Sequence, residues 1–313
     1  GGLLHITPQA PASTDMKRLP ACLRETFGAV VEPDAARACL VWPTVTLNCH
    51  YDRCDGGTAS MLRALSSWRG TGRNHLVFDY IDAPRVRYET GEAIIVKSSL
   101  PASEYRSGFD ISYPLAPMGI FQVRHRANRT DRPLLLSFKG SCAGKPRAKY
   151  AAWNNARDIV VLCTDQDKVS AAKYNYHELQ LRSRFALTPA GNGLHSSRLM
   201  EAVFLGAIPV LAEPELLLPF CDVVDWSLFS VRVPPEAWRE IPDILRAITP
   251  ERLREMQAQL AAARVAYFEN PMRTAVSLVW LRLQALGSNA PQGEGAASAS
   301  SAGIEMQLVR QPR

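Results

Sequence analysis

The stretch from Phe185 to Trp226 constrains this chain more than any other. Phe185-Ala186-Leu187-Thr188 is a short apolar run that suits a buried strand. A loop with Pro189, Gly191 and Gly193 follows, and Ser196 and Ser197 stand where a helix would begin. Leu199, Met200, Val203 and Phe204 recur at i, i+1, i+4 and i+5, which puts them on one helical face. Gly206 marks the end of that helix, and Ala207-Ile208-Pro209-Val210-Leu211 reads as the next strand. A strand, a Gly-rich loop, a helix and a strand in this order direct backbone N–H groups and a helix N-terminus at an anion.

Within that helix, Arg198 and Glu201 are three apart and share a face opposite the apolar stripe. A capping box needs its acid three residues after the cap, whereas Glu201 lies four after Ser197 and five after Ser196. Its carboxylate is therefore available for another task. An exposed ion pair is the plain alternative, but the flanking Gly-rich turn and Gly206-Ala207-Ile208-Pro209-Val210 favour a site. An arginine beside a helix N-terminus can hold a diphosphate, and a carboxylate one turn on can accept from ribose hydroxyls. The stretch reads as a nucleotide-sugar site, with Gly191, Ser196 and Ser197 beside Arg198 and Glu201.

At 313 residues the chain can form two modest domains or one large one. A net charge of +6 and a pI near 9.0 suit an anionic ligand, and equally many secreted and Golgi proteins. The basic residues are spread out with no aromatic-interleaved run, which argues against nucleic acid. No apolar run is long enough to span a membrane, and a first residue of Gly is compatible with an N-terminal signal or anchor cut away. Four of the seven cysteines, Cys22, Cys39, Cys49 and Cys54, crowd the beginning, with Cys142, Cys163 and Cys221 later. Their spacing is not that of a zinc site, so no metal is expected. In an oxidising lumen the early cluster can form disulfides and leave an odd thiol; in cytosol all would be free. Asn128-Arg129-Thr130 is the only N-glycosylation sequon.

Along the chain, residues 1–18 read as a lead-in. Strands are expected at 38–43 and 75–80, with a helix at 59–68 between them. Residues 91–100 read as a helix followed by a loop, or as another strand. Phe109-Asp110-Ile111-Ser112-Tyr113-Pro114 alternates and ends at a proline, as a strand leaving a sheet would. Residues 115–132, with two prolines, Gly119 and the basic cluster Arg124, His125, Arg126 and Arg129, mark a domain boundary. A second alternating series follows: a strand at 134–138, a Lys139-Gly140 loop to Arg147, a helix near 149–156, a strand at 159–163 and a helix at 176–182. Helices are expected at 251–268 and 274–286, and the Gly-, Ala-, Ser- and Gln-rich tail from Gly287 is expected to be disordered. Strands alternating with helices imply parallel, Rossmann-like sheets.

Taken together, these residues resemble the exostosin family, glycosyltransferase family 47, and its heparan sulfate polymerase branch more than its plant cell-wall branch. The resemblance covers roughly residues 36–285. It is carried by Gly72-Arg73-Asn74-His75-Leu76-Val77-Phe78, Phe109 to Pro114, Phe138-Lys139-Gly140, Ser197-Arg198-Leu199-Met200-Glu201-Ala202, Leu218-Pro219-Phe220 through Asp225-Trp226, and Ala266-Tyr267-Phe268. It implies an α/β GT-B fold of two facing Rossmann-like domains with C-terminal helices: an acceptor-side domain at 1–125, a nucleotide-sugar-binding domain at 126–286 and a tail at 287–313. It further implies an inverting, metal-independent transferase that takes UDP-sugars in the secretory pathway, with a Golgi-lumenal location, a glycan or glycoprotein acceptor and no cofactor. A dimer with itself or another exostosin-like protein is open. Arg198 and Glu201 would contact diphosphate and ribose, and Lys139, Gly140 and Arg147 would serve the phosphates. The polymerases carry a second transferase domain that this chain lacks, so it is not expected to make both alternating linkages alone.

One departure stands out. Pro189-Ala190-Gly191 occupies the place where family members commonly have Pro-Arg-Gly. The change fits a different donor, compensation by Arg198 or Arg147, or a catalytically inactive subunit that stabilises a partner transferase. An inverting transfer needs a carboxylate or histidine to take the acceptor proton. Asp110, at a strand end expected to face the cleft, is the first candidate and His75 the second, each with a structural alternative as a turn or backbone-bonded residue. Asp79 and Asp82 are less favoured. Trp226 reads as a core anchor in a packed turn. A nucleotide-binding enzyme outside glycosyl transfer is disfavoured by the absence of GxGxxG and P-loop motifs.

Overall fold

The structure, a computed structural model, describes residues 4–7, 40–43, 57–79, 86, 88–120, 123, 126–127, 131–143, 146–191, 193–213 and 215–288. Among the described residues, ten strands form parallel sheets. Strands β1 (Leu4–Thr7) and β2 (Leu40–Pro43) pair, as do β3 (Leu76–Asp79), β4 (Ile94–Lys97) and β5 (Ile111–Ser112) in that order. A bridge from Val41 to His75 sets β2 beside β3, so the amino-terminal strands lie in sequence order. The second sheet contains β6 (Leu134–Gly140), β7 (Ile159–Cys163), β8 (Ser183–Leu187), β9 (Ile208–Leu211) and β10 (Val231–Arg232). Strands such as Ile159–Cys163 are buried along their whole length, which explains their unbroken apolar runs: a parallel sheet is covered on both faces.

Parallel neighbours need crossovers, and helices supply them. These are α1 (Gly57–Ala64), α2 (Lys168–Ala172), α3 (Tyr176–Leu181) and α4 (Ser197–Leu205), followed by α5 (Ile241–Ala247), α6 (Pro250–Ala263) and α7 (Pro271–Ser288). Helix α4 buries every residue from Leu199 to Leu205. It stops at Gly206, whose φ of 74° belongs to the left-handed region and whose N–H returns to the carbonyls of Ala202 and Val203. A Cβ there would stand 2.5 Å from the Ala127 carbonyl oxygen, so the close approach also requires glycine.

The order of the second sheet, β10-β9-β8-β6-β7, positions the site. From β6 the chain moves outward to β7, then crosses back to the other side of β6 to lay down β8. The direction of winding reverses between β6 and β8, and in such sheets ligands bind outside the carboxyl ends of the strands at that point.

Several expectations shift. The lead-in contains β1. Residues 91–100 form the strand Ile94–Lys97, and the strand expected at 109–114 shrinks to Ile111–Ser112. The helix expected near 149–156 is a 3-10 helix, Pro146–Trp153. Helix α6 ends at Ala263 and widens into a π turn, Arg264–Phe268, whose Phe268 packs on Phe220 and Trp226. Gly287 and Ser288 belong to α7; the tail beyond them, the four early cysteines, Asp82 and the sequon lie outside the described residues. Cys142 and Cys163, not singled out from spacing, form a disulfide. They sit just past the end of β6 and at the end of neighbouring β7, with Cα atoms 5.3 Å apart. Cys221 is a free thiol.

The two sheets share one continuous core, from Trp42, Ile94 and Tyr113 through Phe138 and Leu199 to Phe220. The boundary segment is packed: buried Arg132 donates to the carbonyls of Ala127, Gln180, Ser183 and Leu205. Farther on, the Ser112 hydroxyl donates to the Leu218 carbonyl, and the Phe220 N–H donates to the Ser112 carbonyl. Helix α7 then closes the seam. Arg282 donates to the carbonyls of Phe109 (2.8 Å) and Asp110 (2.6 Å) and pairs with Asp222 at 2.7 Å. Removing a buried cation strands its partners, which typically costs about 3–5 kcal/mol. Arg282→Ala is therefore expected to lower unfolding stability by roughly 3 kcal/mol in denaturant titration, with Arg282→Lys recovering little because it lacks the fork.

Candidate nucleotide-binding site

A cavity of about 680 Å³ opens at the reversal point between β6 and β8, a size typical of small-ligand sites. Lys139 and Gly140 reach it from the end of β6, Thr164 from the end of β7 and Gly191 from the loop after β8. Ser196, Ser197, Arg198 and Glu201 enter from the start of α4, and Arg147 from the 3-10 helix. The structure thus gathers in one cavity all eight residues that the sequence assigns to a donor nucleotide. The remaining wall, which the sequence did not single out, comes from Leu115, Met118 and Gly119 of the boundary segment and from Tyr176 and His177 of α3.

Arg198 is fixed from several sides. Its Nη2 donates to the Lys139 carbonyl at 2.9 Å, and its guanidinium carbon lies 4.6 Å from the centre of the Phe138 ring and 5.8 Å from that of Tyr176. A Cβ on residue 140 would stand 2.7 Å from that nitrogen, so glycine leaves the space the guanidinium occupies. Helix α4 begins without a side-chain cap, because the Ser196 hydroxyl donates to the Pro189 carbonyl instead. Its first N–H groups are therefore not taken up by the Ser196 side chain.

Charged residues also hold the walls together. The Lys139 ammonium donates to the Tyr174 carbonyl at 2.6 Å. Arg147 donates through Nε (2.7 Å) and Nη2 to the Ala190 carbonyl, and through Nη1 to the Ser141 carbonyl at 3.1 Å. The Ala190 N–H goes to Glu213 at 3.3 Å, so the peptide at the departure from Pro-Arg-Gly is gripped on both sides. Glu201 is only 3% exposed; one carboxylate oxygen accepts from the Tyr176 hydroxyl and the other from the Met118 N–H at 3.3 Å. Burial pushes the Tyr176 phenol well above its ordinary pKa; the Arg198 charge opposes this and the Glu201 charge adds to it. Tyr176 therefore stays a donor. The Cys142–Cys163 bridge and the Cys142 N–H bond to Asp165 (2.6 Å) pin the loop between Gly140 and Arg147.

Neither candidate base lines the cavity. Asp110 is 2% exposed, and its oxygens accept from the N–H groups of Ile95 (3.0 Å) and Arg106 (3.1 Å) and from the Arg106 guanidinium (2.6 and 2.8 Å). It is a clamp that shapes the turn before β5, and an arginine four residues ahead was the signal for it. His75 is likewise buried, with Nε2 at 3.1 Å from the Ser67 hydroxyl and Nδ1 at 3.1 Å from the Arg73 carbonyl. Burial lowers its pKa against the carbonyl contacts, which raise it. Asp79 forms a buried pair with Lys97 at 3.2 Å. Trp226 is a core anchor as expected, its Nε1 donating to the Pro219 carbonyl.

One buried histidine escaped the sequence reading. His195, between Gly191 and Ser196, is 1% exposed, and burial pushes its pKa down to about 4. The unfolded chain takes this proton near 6.5, so the contribution to stability is whole above that pH and is lost as the pH falls towards 4. The loss amounts to roughly 3 kcal/mol by pH 4. Unfolding free energies from denaturant titration are expected to fall by that much more between pH 7 and pH 4 in the wild type than in His195→Leu. For the cavity itself, Gly140→Ala is expected to displace the Arg198 guanidinium and weaken nucleotide binding at least tenfold in calorimetry.

Comparison with known proteins fits this geometry. The Exostosin GT47 domain model matches residues 31–248, well over half of the chain. Exostosin-1 of Drosophila melanogaster is 30% identical over 245 residues, covering 67% of this chain and 32% of the fly protein. Exostosin-1b of Danio rerio is 28% identical over 249 residues, with 67% and 32% covered. The Exostosin-1 homolog of Caenorhabditis elegans is 27% identical over 240 residues, with 66% and 63% covered. The chain thus spans about a third of the length of its fly and zebrafish relatives. With that match across both sheets and the site-bearing helix α4, the chain belongs to the exostosin GT47 family of glycosyltransferase domains.

Proposed function

We propose that the chain is an inverting, metal-independent glycosyltransferase of GT-B architecture that moves a sugar from UDP to a glycan or glycoprotein acceptor. Arg198 at the head of α4, inside the cavity at the winding reversal, carries this reading. The diphosphate lies against the start of α4 and the Arg198 fork. Lys139 and Arg147, both cavity residues with other contacts, add positive field rather than open forks. Together they offset the charge that grows on departing UDP, which is the work a transferase without a metal must assign to side chains and N–H groups. The ribose end falls beside Glu201, Tyr176 and the Met118 peptide. Residues 1–125 supply the acceptor side and residues 126–286 the nucleotide side, with Leu115, Met118 and Gly119 of the boundary segment reaching the nucleotide cavity. Glucuronic acid is the first sugar to try, given the resemblance to the heparan sulfate polymerase branch.

The Cys142–Cys163 bridge beside the cavity suits an oxidising compartment, in keeping with a Golgi-lumenal or other secretory-pathway location. Among the described residues no helix is long and apolar enough to cross a membrane. Pairing with another exostosin-like chain belongs to the same reading.

A second reading, an inactive subunit that stabilises a partner transferase, is favoured by two observations. Ala190 stands in place of the common arginine, and Glu201, the one carboxylate lining the cavity among the described residues, is already engaged by Tyr176 and Met118. Calorimetry with a nucleotide panel, with and without Mn²⁺, tests the proposal. UDP is expected to bind independently of Mn²⁺, and Arg198→Ala to weaken binding by about 10–100-fold, the size of a lost charged hydrogen bond. A folded protein that binds no nucleotide overturns the transferase reading, and UDP binding without turnover of any UDP-sugar favours the inactive subunit.

A further inference from the structure

We infer that His177 is a ribose-binding residue, whose Nδ1 accepts a hydrogen bond from a hydroxyl of the donor's ribose and gives the site a preference for ribonucleotides. The inference rests on the transferase reading above and deepens its nucleotide site. His177 lines the cavity and is only half-buried. Its Nε2 stands 3.2 Å from the Met118 carbonyl oxygen, which can only accept, so Nε2 carries a proton. In the neutral ring Nδ1 is then left with a lone pair. Among the described residues Nδ1 has no partner, yet it is not sealed in the interior as both nitrogens of His195 are. The acceptor is therefore reachable from solvent, on a residue of the cavity wall.

The ring is held in that attitude by its neighbours. Gly119 brings its backbone against the imidazole, and a Cβ there would stand 3.2 Å from His177 Cε1, so a side chain at this position would crowd the ring. The Tyr176 ring meets it edge-on. The same contacts set its place along the cavity. The Arg198 guanidinium carbon lies 5.8 Å from the centre of the Tyr176 ring, and that centre lies 5.2 Å from the centre of the imidazole. Arg198, Tyr176 and His177 thus follow one another along one wall. Phosphates held at Arg198 leave the next unit of the nucleotide, its ribose, against Tyr176 and His177.

The other polar groups of this wall are committed. Glu201 is 3% exposed, and its two oxygens already accept from the Tyr176 hydroxyl and the Met118 N–H. The Tyr176 hydroxyl gives its proton to that bond and faces the Arg198 guanidinium. Leu115 and Gly119 bring no polar side chain. Ribose hydroxyls drawn out of water need an acceptor, because an unbonded hydroxyl forfeits its hydration. A neutral imidazole nitrogen supplies one and, unlike a second carboxylate, adds no negative charge beside the diphosphate. The N–H groups of the nucleobase are the competing donors on the same ligand.

The test is calorimetry of UDP, 2′-deoxy-UDP, 3′-deoxy-UDP and CDP with wild type, His177→Gln and His177→Asn. Glutamine can still donate to the Met118 carbonyl but has only carbon in the place of Nδ1, whereas asparagine puts its amide group there. Wild type is expected to bind UDP about 3–10 times more tightly than one of the two deoxy analogues, the size of one neutral hydrogen bond. His177→Gln should bind UDP weaker by the same factor and that analogue as wild type does, so that the preference disappears. His177→Asn should keep part of it. Because the preference is a ratio taken within each protein, a modest change in stability leaves it readable. An undiminished preference in the Gln variant, or equal weakening of all four nucleotides, overturns the inference. Loss of the preference for UDP over CDP with the ribose preference intact gives the imidazole to the base and overturns it too. So does a wild type that binds UDP and both deoxy analogues alike, whereas a wild type that binds no nucleotide sinks the transferase reading itself.

Discussion

The cavity depends on the seat of one guanidinium. Arg198 rests on the Phe138 ring and bonds the Lys139 carbonyl, and it can do so only because residue 140 has no side chain. Three consecutive residues of β6 therefore supply an aromatic face, an acceptor and an empty space. They stand at the strand where the winding of the sheet reverses, so the same geometry that opens a crevice also fixes a cation inside it. A lysine in that position would lose both the stacking and the planar fork.

Opposite this cation, Glu201 works as a tie. Its carboxylate joins α4 to α3 through Tyr176 and to the boundary segment through the Met118 N–H. The Met118 carbonyl meets His177 at 3.2 Å while Met118 as a residue is 70% exposed, so its peptide is held at a solvent-facing position. Arg126 adds a pair to Glu178 on the same helix. The segment joining the two sheets is thus a wall of the cavity, and a ligand's sugar end would meet a backbone already anchored by side chains of the second sheet.

The alternation of elements was legible because parallel strands buried on both faces leave continuous apolar runs, as in Ile159–Cys163 and Ile208–Leu211. Arg198 was legible from its place at the head of a helix after a Gly-rich turn, whereas Lys139, Gly140 and Arg147 joined it only through the family resemblance. Partnerships between distant residues were not legible. Asp110 reads the same in sequence whether it faces a cleft or clamps a turn, and only the donors around it, Ile95 and Arg106, decide. Glu201 kept its place but not its freedom, because its partners lie 25 and 83 residues away. The Cys142–Cys163 bridge follows from β6 and β7 being neighbours, a fact of topology rather than of spacing.

The Arg282 clasp has a consequence for how the chain is assembled. It joins carbonyls that lie 172 and 173 residues earlier in the sequence, and contacts of such separation form late because closing a long loop must precede any gain from them. While the chain is being synthesised, the amino-terminal strands and the turn before β5 have to persist without the helix that covers them. Until α7 arrives, Phe109 and Asp110 present unpaired carbonyls beside a seam of aromatic residues. In that interval the amino-terminal sheet is open to off-pathway association, which the last helix ends by covering it.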